Sequence, residues 1–133
     1  MTTTRKALAL LFGCICGSAF VLACFSDRGS APINTAAECQ VPVTVIDSLH
    51  FLVAIRDFGF HPDSLSVPSG ATVTWINCET GDVPPHTTTS DGGAWNSPDL
   101  SPGDRFSHTF PAQGAYPYHC TPHPFMTGKV VVQ

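Results

Sequence analysis

Nine consecutive residues, Tyr118-His119-Cys120-Thr121-Pro122-His123-Pro124-Phe125-Met126, carry a thiol, two imidazoles and a thioether. Within them Cys120, His123 and Met126 follow one another as Cys-x-x-His-x-x-Met, a spacing at which a tight loop can turn all three side chains toward one point. One more imidazole would complete two His and one Cys in a near-trigonal plane with a long axial Met, the donor set that suits copper in one-electron transfer. His86, in Val83-Pro84-Pro85-His86-Thr87, is the supplier the chain offers. Soft sulfur favours Cu(I) and imidazole tolerates Cu(II), so such a compromise site lets the metal change charge with little ligand movement. Met126 argues against zinc, whose tetrahedral sites take Cys, His or carboxylate in all four places. The blander alternative makes Phe125 and Met126 core residues and Cys120 a buried thiol, and it leaves two imidazoles beside that thiol unexplained.

The elements around this loop read as strands. Gly114 to Tyr118 is a turn and strand leading in, and Gly128 to Val132 is a strand leading out, so the loop is held at both ends. From Val41 onward no helical period is visible. Val43 to Ile46 and Phe51 to Ile55 are short β-rich runs. Turns are expected at His61-Pro62-Asp63-Ser64 and Pro68-Ser69-Gly70, around Leu65 and Val67. Ala71, Val73 and Trp75 alternate with Thr72 and Thr74, which predicts one buried and one wetter face. Phe106, His108 and Phe110 form a similar alternating face. Many short strands punctuated by Gly and Pro predict two sheets closed over one core.

With these residues in place a resemblance can be stated. The run from Gly114 through Tyr116, Tyr118, His119-Cys120-Thr121-Pro122-His123-Pro124-Phe125-Met126 to Gly128-Lys129-Val130-Val131-Val132 resembles the C-terminal end of the amicyanins, plastocyanin-like cupredoxins. Phe58, Phe60, Pro62, Leu65, Val67, Gly70, Val73-Thr74-Trp75 and Asn77 are similar to that family's first half, and together the two cover about residues 53–132. The resemblance implies a Greek-key β-sandwich, one type 1 (blue) copper ion, His86, Cys120, His123 and Met126 as its ligands, and one-electron exchange with redox partner proteins. Amicyanins usually carry Asn directly after the first His; here that position is Thr87, so a hydrogen bond tying the two ligand loops together would have to come from the Thr87 hydroxyl.

Met1 to Phe25 reads as a targeting segment. Arg5 and Lys6 precede an apolar stretch from Ala7 to Ala23, the layout of an export signal. Val21-Leu22-Ala23-Cys24 resembles a lipobox, which predicts a signal spanning residues 1–23 and a lipid on Cys24. Ordinary cleavage nearby and an uncleaved anchor, slightly shorter than the usual ~20-residue span, are the competing readings. All three place the rest of the chain outside the cytoplasm, in a periplasm or cell envelope. Residues 24–40, rich in Ser, Gly, Ala, Asn and Thr, read as a flexible tether, and residues 41–133 as the folded domain. Of six cysteines, Cys14 and Cys16 leave with the signal, Cys24 takes the lipid and Cys120 the metal. Cys39 and Cys78 are left, and in an oxidising compartment they are expected to pair.

Losing Arg5 and Lys6 takes the formal net charge from −4 to −6, over 110 residues (133 less 23). Such a mildly acidic domain has no basic footprint for nucleic acid, and a monomer is expected. His50 and His61 fall at a strand start and a turn, where solvated imidazoles are ordinary. His108 shares an apolar face with Phe106 and Phe110 and suits a core or edge role. His119, next to Cys120, could reach a second copper, but strand alternation points it away from the thiol and the chain is too short for a second domain to share such an ion. With no open coordination position evident, the leading reading is an electron carrier rather than an enzyme. A copper-delivery protein is the alternative, although such proteins favour Met- or His-rich clusters and this chain has only Met1 and Met126. A metal-free interaction domain would not need the complete donor set.

Overall fold

The structure is a computed structural model that describes Cys39 and residues 45–133. The expected signal at 1–23, Cys24 and the rest of the tether at 24–40 apart from Cys39 lie outside the described residues.

Among the described residues eight strands alternate with turns: β1 (His50–Arg56), β2 (Gly59–His61), β3 (Ser64–Val67), β4 (Ala71–Asn77), β5 (Thr89–Ser90), β6 (Arg105–Phe110), β7 (Gly114–His119) and β8 (Thr127–Val132). They form two four-stranded sheets, ordered β2-β1-β4-β6 and β3-β8-β7-β5. The chain crosses between the sheets after β2, β3, β4, β5 and β6, giving the two-sheet sandwich expected from the strand pattern, with the Greek-key connections that the resemblance implies. Two pairings are parallel, β1 with β4 and β3 with β8, and the rest are antiparallel. Of the early run expected at Val43 to Ile46, Val43 and Thr44 lie outside the described residues. Val45 makes one isolated bridge to Phe51 and stays exposed, as do Ile46 and Leu49.

Alternation decides which side chains enter the core. In β4, Ala71, Val73 and Trp75 are fully buried while Thr72 and Thr74 are half-buried on the other face. There the hydroxyls of Thr72 and Thr109, and of Thr74 and Ser107, lie 2.8 Å apart, a polar ladder made by the β4–β6 register. The inner face gathers Trp75, Trp95, Phe110 and Tyr118: Trp75 stacks on Trp95 at 5.4 Å, and Phe110 meets Trp95 edge-on at 5.3 Å. Such aromatic contacts stabilise by roughly 0.5–1.5 kcal/mol each beyond their area. His108 lies flat against Trp95 at 5.0 Å, and burial lowers its pKa, so it packs as a half-buried neutral ring. Gly128, facing Tyr118 across β7 and β8, has no room for a Cβ because the buried tyrosine ring occupies that space.

A disulfide joins Cys39 to Cys78, directly after β4, with Cα atoms 5.4 Å apart. It anchors residue 39 to the segment that leads to His86. Replacing both cysteines with Ser should lower unfolding stability by about 2–4 kcal/mol, since the bond closes a sizeable loop in the unfolded chain. Urea denaturation measures this, and an unchanged midpoint would refute it.

Candidate metal centre

The ligand loop after β7 is two successive tight turns. The His123 N–H donates to the Cys120 carbonyl at 3.1 Å, and the Met126 N–H to the His123 carbonyl at 2.8 Å. The Cys120 N–H closes the loop on the Met126 carbonyl at 3.0 Å. Each turn advances three residues, so Cys-x-x-His-x-x-Met places its three named residues at the corners. Pro122 and Pro124, which lack N–H groups, sit where the loop asks for no donor.

His86 comes from the opposite side. It pairs with Leu100 through two backbone bonds, His86 N–H to Leu100 O at 3.0 Å and the reverse at 2.8 Å. The Leu100 carbonyl also accepts from the buried Asn77 side chain at 2.8 Å, which ties this segment to the end of β4. Two residues further, Thr88 is fixed by Ser97 and by the Trp95 indole N–H. His86 itself is fully buried.

These elements bring three donors together. Cys120 Sγ lies 3.7 Å from His86 Nδ1 and 3.6 Å from His123 Nδ1, and the ligand atoms of the three residues all lie within 4.8 Å of one another. Sulfur and nitrogen bound to a first-row ion at about 2.3 and 2.0 Å stand roughly 3.5–3.8 Å apart at angles from tetrahedral to trigonal. The donor spacing therefore fits a single metal ion, and two imidazoles with one thiol fit copper. Met126 is buried at 2 % exposure beneath the same loop. Cys120 is wholly buried and His123 is half-buried, so the thiol is sealed while one imidazole approaches the surface.

The surroundings favour a neutral His86 and point a backbone donor at the sulfur. The Thr87 N–H donates to Cys120 Sγ at 3.3 Å, which supports negative charge on sulfur. Burial above all, and then the neighbouring charge of His123, lower the His86 pKa, while Glu79 pulls the other way. The bond between ligand loops is made by threonine. The Thr121 N–H donates to Thr87 Oγ1 at 2.8 Å. The network continues through Thr89, whose hydroxyl lies 3.3 Å from that of Thr87 and 3.0 Å from that of Thr121 and donates to Asn96 Oδ1 at 2.8 Å. A single hydroxyl thus replaces a side-chain amide at the position after the first His.

The other histidines stand apart from this centre. His119 Nδ1 is 2.6 Å from Asp91 Oδ1, His50 pairs with Asp47, and His61 turns back to the Arg56 carbonyl. Two residues that the sequence did not single out as functional do touch the site. Phe58 meets the His86 and His123 rings edge-on, at 5.4 and 5.2 Å, and Glu79 approaches His86 Nε2. The only local sign of Phe58 is its place between two β-rich runs, in a two-residue turn.

Comparison with known proteins agrees with this geometry. Residues 48–133 match the family model for copper binding proteins of the plastocyanin/azurin family. Amicyanin of Paracoccus denitrificans is 33% identical over 141 residues, which span all of both chains. Amicyanin of Paracoccus versutus is 30% identical, over 98% of this chain and 96% of that one. Among solved structures, a reduced amicyanin mutant superposes with a TM-score of 0.59 at 36% identity, covering 66% of this chain and 86% of that one. A purple cupredoxin from Nitrosopumilus maritimus gives 0.55 at 34% identity, covering 62% and 98%. A sandwich of this topology, closed over converging imidazole and thiol donors, and these relatives lead to one conclusion: the chain is a cupredoxin-like blue copper protein and belongs to the plastocyanin/azurin family of copper-binding electron carriers.

Proposed function

We propose that His86, Cys120 and His123 hold the copper ion as its equatorial ligands, with Met126 as the axial donor, and that the protein passes single electrons between redox partner proteins outside the cytoplasm. The observation that carries this reading is the convergence of Cys120 Sγ with two Nδ1 atoms at 3.6 and 3.7 Å, inside a scaffold that already donates an N–H to the sulfur. Copper, when bound, supplies the one-electron couple. The chain keeps the thiol dry, holds the imidazoles through rigid backbone pairs, and leaves no freely moving group that must rearrange when the charge changes. A delivery protein would need an exposed, releasable donor cluster. Here the donors are buried, and that favours the carrier.

Electrons leave by way of His123. Its ring is half-buried, the neighbouring Phe125 is 71% exposed, and Pro84, Pro85, Pro98 and Pro122 line an adjoining groove. An apolar rim of this kind suits brief docking, since transient redox interfaces are small and separate quickly. The domain works as a monomer without enzymatic activity. An export signal at 1–23, a lipid on Cys24 and a tether over 24–40 would hold it at a membrane facing a periplasm or cell envelope. The matches to extracytoplasmic carriers and the Cys39–Cys78 disulfide, which needs an oxidising compartment, support that location.

Cu(II) added to the purified protein should produce an intense visible thiolate-to-copper band, bleached reversibly by ascorbate. Cys120→Ser should abolish nearly all of that intensity, and a mutant that stays deep blue would remove Cys120 as the ligand. Met126→Gln should keep the copper and lower the reduction potential by about 59 mV or more, a tenfold shift toward Cu(II), because an oxygen donor favours the oxidised ion. An unaltered voltammogram would make Met126 a core residue only. Thr87→Ala removes the acceptor of the Thr121 N–H and should destabilise the protein by about 1–2 kcal/mol in urea. Equal stability would show that water replaces the hydroxyl.

A further inference from the structure

The hairpin joining β1 and β2 turns on Asp57 and Phe58, with φ of 51° and 52°. Both lie in the left-handed region, which is unfavourable for a bulky aromatic residue, and backbone strain of this kind collects at functional sites. The turn is held by the Phe58 N–H, which donates to Glu79 Oε1 at 2.8 Å. The same oxygen lies at an ion-pair distance of 3.4 Å from His86 Nε2, a buried atom that has no aligned hydrogen-bond partner. The Glu79 side chain is only 10% exposed. Its backbone is fixed from the N-terminal side: the Glu79 N–H donates to Asn77 Oδ1 at 2.9 Å, and the preceding Cys78 carries the disulfide and donates its N–H to the Ile55 carbonyl at 2.7 Å.

We infer that Glu79 is a positioning residue for the copper site, acting on His86 and on the Phe58 turn through one carboxylate oxygen. The inference rests on the assignment of His86 as a ligand. An anion behind Nε2 keeps the proton on that nitrogen and so leaves the Nδ1 lone pair facing Cys120 Sγ. A carboxylate behind a metal-bound imidazole also raises its basicity, and that favours the more highly charged ion. Holding the Phe58 N–H keeps the phenyl edge against both His86 and His123. The carboxylate thus orients one ligand, adds negative charge behind it and seats the apolar cover above it.

Glu79→Gln separates charge from propping, because the amide oxygen still accepts from the Phe58 N–H. Wild-type protein is loaded with Cu(II) first; failure to turn blue at that step strikes the ligand assignment and not the role of Glu79. In the blue protein, Glu79→Gln should leave thermal stability near that of the wild type and raise the reduction potential by about 59 mV, a tenfold shift toward Cu(I). An unchanged potential would overturn the inference and leave Glu79 as a prop for the turn. A readout needing neither variant nor metal is the His86 tautomer in the metal-free wild type, followed by ring nitrogen NMR. A proton on Nε2 is expected; a proton on Nδ1 would overturn the inference even if the variant failed to fold.

Discussion

Two imidazole nitrogens and a thiol sulfur held this close, with their lone pairs converging, form an arrangement that no isolated peptide would keep. The sulfur meets the two ring nitrogens only through long contacts of 3.7 and 3.6 Å, with His86 and Cys120 shut away from solvent, and burying weakly partnered polar atoms is costly. The scaffold must therefore impose the arrangement. Two backbone bonds fix His86 to Leu100, and three fix the loop from Cys120 to Met126. The aromatic packing of Trp75, Trp95, Phe110 and Tyr118 beneath them sets the distance between the two sheets that carry these loops. A cation among the donors turns this cost into a binding energy, since the ligands need not reorganise to receive it.

Much of this could be read from the residues, because the decisive pattern is local. Three-residue spacing between Cys120, His123 and Met126 matches the advance of successive tight turns, and alternation in Ala71 to Trp75 matches the pleat of a strand with one buried face. His86 was legible by type and by the prolines before it, although its distance from Cys120 is a product of sheet pairing. Glu79 and Phe58 were not legible as site residues. They meet each other across 21 residues and reach His86 only through the parallel β1–β4 register, which no local periodicity encodes. Val45 and Ile46 show the opposite case: their β-branched side chains suggest a strand, but Val45 makes a single bridge to Phe51 and the Ile46 N–H turns to the His50 carbonyl.

The threonine after His86 shows how a fold keeps a function while changing its chemistry. An amide side chain offers donor and acceptor at fixed places, whereas a hydroxyl offers both at one atom and can rotate. In this chain Thr87 accepts from the Thr121 N–H, and its own proton is directed toward Thr89, whose hydroxyl passes on to Asn96. The tie between the loops is thus spread over three threonines and an asparagine. Rigidity at the sulfur is preserved because the Thr87 N–H, which touches Sγ, belongs to the backbone and does not depend on the side chain.

The bond between Cys39 and Cys78 has a meaning beyond mechanics. A protein that matures where thiols are oxidised, and that needs one thiol kept free, has a sorting problem: any spare cysteine is a rival for the sulfur that must remain unbonded. Closing Cys39 on Cys78 removes two rivals in one step and leaves Cys120 as the free cysteine among the described residues, enclosed where no oxidant touches it. The order of events during maturation then matters. A chain that forms this link first brings, among the described residues, a single free thiol to the metal, and one that links Cys120 by mistake is lost to copper from the start.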